Sequence, residues 1–194
     1  MWRAWGALGI YVALIYGLLP FGPRIGLAVV ATAGGAWLLG PGLAVLAGVG
    51  ALAVLVRLRH RQAPPWAYGA LGVVAAAYGL TFPWLRAQHL ERTHLPEYGV
   101  AAWLAWRAVA ASMPGAVPGY VAAAALGAAI GYGDELLQKI VPGRVYDPRD
   151  IAMNALGAVL GAVVLAATRA GNTKGQPRLP TTVADAASPP ANFP

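Results

Sequence analysis

The chain has no cysteine. Neither a disulfide framework nor a thiolate metal site can be built from it, and the redox compartment is not written in the sequence. Charge is also scarce. Asp, Glu, Lys and Arg make up 11% of 194 residues, against about 25% in a soluble domain. With 58% hydrophobic residues and a mean hydropathy of +0.58, the composition is that of a chain built for a bilayer. Acid is the rarer sign, with seven Asp and Glu against fourteen Lys and Arg. In a soluble protein the net +7 would raise nucleic acid as a partner. Here the bases sit at the ends of apolar runs, where topology and anionic headgroups account for them. Membrane lipids are therefore the expected partners, and nucleic acid is not. Three Phe stand beside seven Trp and eight Tyr, a balance that favours interfacial anchoring over an aromatic-lined pocket. The phosphate loop G-x-x-x-x-G-K-[ST], the dinucleotide fingerprint G-x-G-x-x-G, a partnered G-x-S-x-G and H-E-x-x-H are all missing. Nucleotide, serine-hydrolase and compact zinc chemistry lose their support, and no cofactor or metal is expected.

What remains is a series of apolar runs punctuated by Pro and Gly. They predict an all-α fold, a polytopic transmembrane helix bundle of about 6–7 spans. The runs cover residues 5–19, closed by Pro20 and Pro23, then 25–39, 42–56, 66–85, 96–113, 119–132 and 151–168. The second and third are short for a crossing of about 20 residues. A hairpin and a single helix broken at Pro41 fit them equally. Pro96 suits a first helical turn, and Asp147-Pro148-Arg149-Asp150 reads as an N-cap, a proline at N1 and an acid in the first turn. From Gly171 the chain is rich in Gly, Pro, Thr and Ala, and a disordered tail is expected. Arg57-Leu58-Arg59-His60-Arg61 is the densest basic cluster and points to the cytoplasm. One crossing per run then places the 86–95 and 133–150 loops outside and the tail inside. Six of the seven carboxylates fall on that outer face.

The 133–150 loop holds four of them, Asp134, Glu135, Asp147 and Asp150, between two apolar runs. Gly127, Gly131, Glu135 and Gln138 recur at i, i+4, i+8 and i+11, one stripe on a helix. Asp150, Asn154, Gly157 and Gly161 recur at i, i+4, i+7 and i+11 and form a second. Small residues let two backbones approach, and the polar groups then meet at the end of the seam. The expected seam joins these two runs to each other.

D-E-x-x-Q, P-x-R, D-x-x-D and N-x-x-G-x-x-x-G, carried here by Asp134, Glu135, Gln138, Pro142, Arg144, Asp147, Asp150, Asn154, Gly157 and Gly161, resemble the signature of VanZ-like membrane proteins. Glu91-Arg92-Thr93-His94 with Glu97-Tyr98 is similar to the family's earlier acidic-basic-x-x-His motif. The resemblance covers roughly residues 88–168. It divides the chain into N-terminal helices at 1–87, a VanZ-like region at 88–168 and a tail at 169–194. It implies a multi-pass protein of the cell membrane acting at the cell envelope, since the namesake lowers susceptibility to teicoplanin. Two functions follow as expectations. One is binding or protection of an envelope lipid or lipid-linked wall-precursor group, with Glu91, Glu97, Gln138, Arg144, Asp147, Asp150 and Asn154 around it and Arg144 as the anion contact. The other is a membrane enzyme on a lipid-linked or phosphate-bearing substrate, with His94 and Glu135 catalytic, His94 as the acid-base group, Glu97 or Glu135 as its orienting partner and Arg144 as the phosphate clamp. Arg144 is also the expected ion-pair partner of Glu135, nine residues on and past the Pro142-Gly143 turn.

Overall fold

The computed structural model describes residues 2–32, 34, 43–81, 93–113 and 115–171, and the account below is of these. Glu91 and the tail beyond residue 171 lie outside them. They form seven α-helices and no strand: α1 Trp2–Leu18, α2 Gly22–Ala31, α3 Leu43–His60, α4 Pro65–Thr81, α5 His94–Val109, α6 Ala116–Gln138 and α7 Pro148–Arg169. The punctuation acts as the sequence demands. Pro148 opens α7 while the Asp147 side chain accepts the Arg149 backbone N–H at 2.9 Å, satisfying one of the orphan donors of the first turn. Gly115, at φ 100°, supplies the left-handed step that turns the chain from the 3-10 turn Ala110–Ser112 into α6.

By length and apolarity α6 and α7 can each cross a membrane, and α1 with the first part of α2 adds a third crossing if that pair, bent by 78°, is one broken span. The all-helical expectation is met, whereas only two or three helices pass as spans. α3, α4 and α5 are shorter, at 18, 17 and 16 residues. Large apolar side chains such as Ile10, Leu27, Leu46, Val73, Leu80 and Val121 are exposed around the bundle. Water would penalise such a surface, and lipid would not.

The bundle is built on α5, α6 and α7, which pack against one another more extensively than any other set. α1 lies against α5 and α6, α4 against α7, and α3 touches α4 and α7. Alanine lines the contacts: Ala101, Ala102 and Ala158 around Tyr98, and Ala105, Ala108 and Ala123 beside Leu8 and Leu104. Short side chains bring the backbones together, so dispersion contacts and polar bonds between helices replace the missing hydrophobic drive.

Two sequence expectations change here. α6 runs to Gln138, so Asp134, Glu135 and Gln138 are the last turns of a helix and not a loop. An i, i+4 spacing keeps them on the helical face already begun by Gly127 and Gly131, and nothing stops the helix before the Pro142-Gly143 turn region. The glycine seam is also shared differently. On α6, a Cβ at Gly127 would stand 2.8 Å from Ala158 Cβ, and one at Gly131 would stand 2.5 Å from Asn154 Cβ. On α7, however, Gly157 and Gly161 face α5: a Cβ there would meet the Leu95 carbonyl at 2.6 Å and Gly99 Cα at 2.5 Å. α7 therefore presents 154 and 158 to α6, and 157 and 161 to α5. The two pairs are three positions apart, which rotates them onto neighbouring faces.

The acids gather at one end of the bundle, with Lys139, Arg144 and Arg149 beside them. Arg57 Nε donates to the Thr168 carbonyl at 3.3 Å, and Arg169 lies 4.0 Å over the Trp106 ring, so the last turns of α3 and α7 gather cations at the opposite end. The first turn of α5, the last of α6 and the first of α7 gather acids at the other.

Gly161→Ala replaces open space with an overlap against the Gly99 backbone, which cannot rotate away as a side chain can. Overpacking of this kind costs about 1–3 kcal/mol, more than the roughly 1 kcal/mol gained in helix propensity. Thermal unfolding in detergent should show Gly161→Ala less stable than the parent. Gly48→Ala on α3, where a Cβ meets nothing within 4 Å, should be neutral or more stable. Equal stability of the two variants would contradict the packing.

Candidate functional site

The acid end of the seam is a hydrogen-bonded cluster. Its centre is Asn154, fully buried one turn into α7. The Asn154 Nδ2 amide donates to the Gly131 carbonyl at 3.2 Å. That bond exists because Gly131 has no side chain to hold α7 away. A carbonyl only accepts, so the other end of the amide is oxygen, and it faces His94 Nδ1 at 2.8 Å. Nδ1 must then carry the proton. In that tautomer the ring's lone pair is on Nε2.

On α6, Gln138 Nε2 donates to Glu135 Oε1 at 2.6 Å and to Asp134 Oδ2 at 3.3 Å. The Asp147 backbone N–H reaches Glu135 Oε2 at 3.3 Å. Glu135 is 0% exposed, and Asp134 and Gln138 are 3% exposed. One donor atom each from His94, Asp134 and Glu135 lie within 4.8 Å of one another. The Tyr98 hydroxyl is buried beside Asp134, close enough to interact but short of hydrogen-bond geometry, and it and Asp134 Oδ1 are left without partners among the described residues. α1 closes the flank: Tyr11 donates to the Glu97 carbonyl at 3.0 Å and Tyr16 to the Ile130 carbonyl at 2.7 Å.

The structure thus brings His94, Glu135, Gln138 and Asn154 together, with Asp147 attached through its backbone. Its carboxylate turns outward to Arg149, whose guanidinium holds it below the usual carboxylate range. Glu97 and Asp150 feel the charges of His94 and Arg144 but bond to neither. Glu135 does not pair with Arg144. Gln138 and a backbone N–H satisfy it instead, because they lie on its own helix face and at the neighbouring helix start. Arg144 stands against Gly22 of α2, its Nε buried and unpartnered. Asp134 and Tyr98 are the members that reasoning on candidate site residues passed over. The signal for Asp134 was present, since 127, 131, 134 and 138 make as good a helical stripe as the one containing Glu135.

These features define a class, a helical membrane protein whose buried polar groups are confined to one end of a three-helix seam. The family model described as VanZ/LLP1 matches residues 80–169, a range that contains α5, α6 and α7 whole. Over these residues the chain is similar to the VanZ/LLP1 family, in agreement with the sequence resemblance. No curated protein and no solved structure matches the chain.

Asn154→Ala leaves the His94 N–H without its partner and takes from the Gly131 carbonyl the bond it makes beyond its own helix. Each buried unsatisfied group costs about 1–3 kcal/mol, so a clear drop in thermal stability is expected. Arg149→Ala breaks an exposed pair with Asp147, worth about 0–1 kcal/mol. An Asn154→Ala protein as stable as Arg149→Ala would remove Asn154 from the centre of the cluster.

Proposed function

We propose that the chain is a multi-pass protein of the cell membrane whose polar cluster lies on the extracytoplasmic side and holds the anionic headgroup of an envelope lipid or wall precursor. Arg144 carries the reading. Its charge is felt by Glu97, Asp134 and Asp150, yet its side chain makes no ion pair or hydrogen bond among the described residues. A guanidinium held beside a polar cluster and committed to no carboxylate is suited to a phosphate, which it can grip bidentately. Glu97, Asp150 and Gln138 then orient the rest of the headgroup. The dense basic cluster Arg57–Arg61, at the end opposite the acids, supports the orientation, with that end in the cytoplasm. Shielding a wall precursor in this way would lower susceptibility to a glycopeptide such as teicoplanin.

A second reading is favoured by the tautomer of His94. With Nδ1–H held by Asn154, Nε2 is left as the basic nitrogen of a ring that stands beside two carboxylates, residue types that general acid-base chemistry uses. On that reading the protein is a membrane enzyme acting on a lipid-linked or phosphate-bearing substrate, with His94 and Glu135 exchanging the proton and Arg144 clamping the phosphate.

Expressed in a teicoplanin-susceptible host, the parent should raise the inhibitory concentration of teicoplanin and Arg144→Ala should not, at equal membrane levels. A parent indistinguishable from empty vector would refute the protective form of the reading. Reporters inserted near Val145 and after Gly171 should lie on opposite sides of the membrane, the first outside. His94→Asn and Glu135→Gln separate the two readings, since loss of turnover with headgroup binding retained identifies the enzyme.

A further inference from the structure

We propose that His94, Asp134 and Glu135 form a binding site for a first-row divalent cation of the Mn2+, Fe2+ or Zn2+ type. The proposal is independent of the headgroup reading and shares with the enzyme reading the His94 tautomer and the two carboxylates. The three residues offer one imidazole nitrogen and two carboxylate oxygens, all within 4.8 Å of one another. Ligands bound at about 2.1 Å stand at most roughly twice that apart, so a small closure completes the set.

The atoms left over after the hydrogen bonds are counted are those a cation needs. His94 commits Nδ1–H to Asn154 and keeps Nε2. A metal-bound histidine characteristically gives its second N–H to a fixed acceptor that sets the tautomer and the ring angle. Here that acceptor is itself fixed by the Gly131 carbonyl. Gln138 holds Asp134 through Oδ2, which leaves Oδ1, fully buried and without a partner among the described residues. Gln138 and the Asp147 N–H orient Glu135 in the same way. The Tyr98 hydroxyl, 0% exposed, borders Asp134.

Charge points the same way. Two adjacent carboxylates, 3% and 0% exposed, form no ion pair with Lys or Arg among the described residues. Buried charge of one sign calls for a counter-charge, and a divalent cation cancels both. The single imidazole argues against Mg2+ and Ca2+, which take all-oxygen sets, and the absence of thiolate argues against the softest ions.

The test uses full-length protein purified in detergent, stripped with a chelator and titrated with Mn2+ under electron paramagnetic resonance. The expected result is one Mn2+ per chain, displaced by Zn2+. The pulsed spectrum of the parent should carry the coupling of one imidazole 14N, and His94→Gln should abolish it. Gln138→Ala, which loosens both carboxylates, should weaken binding about 10–100-fold, and Asp134→Asn should weaken it further. No stoichiometric Mn2+, bound Mn2+ without 14N coupling, or affinity unchanged in Asp134→Asn overturns the proposal. If Asp134→Asn does not fold, the 14N coupling in the parent decides: its presence supports the site and its absence removes it.

Discussion

The polar end of this protein depends on how closely α7 is allowed to approach its two neighbours. Gly131 gives α7 access to α6, and Gly157 and Gly161 give it access to α5. At that separation one amide, Asn154, spans three helices and bonds to a backbone carbonyl on one side and an imidazole on the other. A bilayer provides no hydrophobic force between helices, so close packing and interhelical bonds have to hold them. Glycine and asparagine supply one each, and they do so at the same level of the bundle. The placement of His94, Asp134, Glu135 and Gln138 follows from that contact.

The same geometry explains how buried carboxylates are tolerated in so apolar a chain. Intramembrane charge is costly and survives where it faces the bundle interior with partners. Glu135 meets this condition with Gln138 and the Asp147 N–H. Asp134 meets it only on one oxygen. The cations take the opposite course. Arg107 and Arg169 lie over Trp103 and Trp106, aromatic faces that shield the apolar stems while the charge stays near the interface. Gathering the acids at one end gives the bundle a polarity as well as a site.

Much of this was legible in the chain. The helical class follows from apolar runs cut by Pro and Gly, and the family region from the spacing of Asp134 through Gly161. The partners were less legible. A stripe of residues states which face they share, not which neighbour that face meets, so Gly157 and Gly161 were assigned to α6 when they serve α5. Glu135 was matched with Arg144 on charge, although Gln138, one turn away on the same face, reaches it first. Asp134 was hidden by its neighbour: of two adjacent acids, only the three-dimensional packing says which is aimed inward, and here both are. The short runs before Arg57 gave no span count because length alone separates a crossing from a hairpin poorly.

Native cysteine is absent, so engineered pairs report on the seam without background. A Cβ at Gly127 stands 3.3 Å from Ala102 Cβ, near the 3.5–4.5 Å of a disulfide. Oxidation of membranes holding the Ala102→Cys, Gly127→Cys double variant should form the crosslink nearly to completion. Moving the second cysteine one turn, to Gly131, should prevent it, because Gly131 faces Asn154 and Tyr98 instead. Crosslinking of the Gly131 pair with none at Gly127 would shift α6 by a turn against α5 and take Asp134 and Glu135 away from His94.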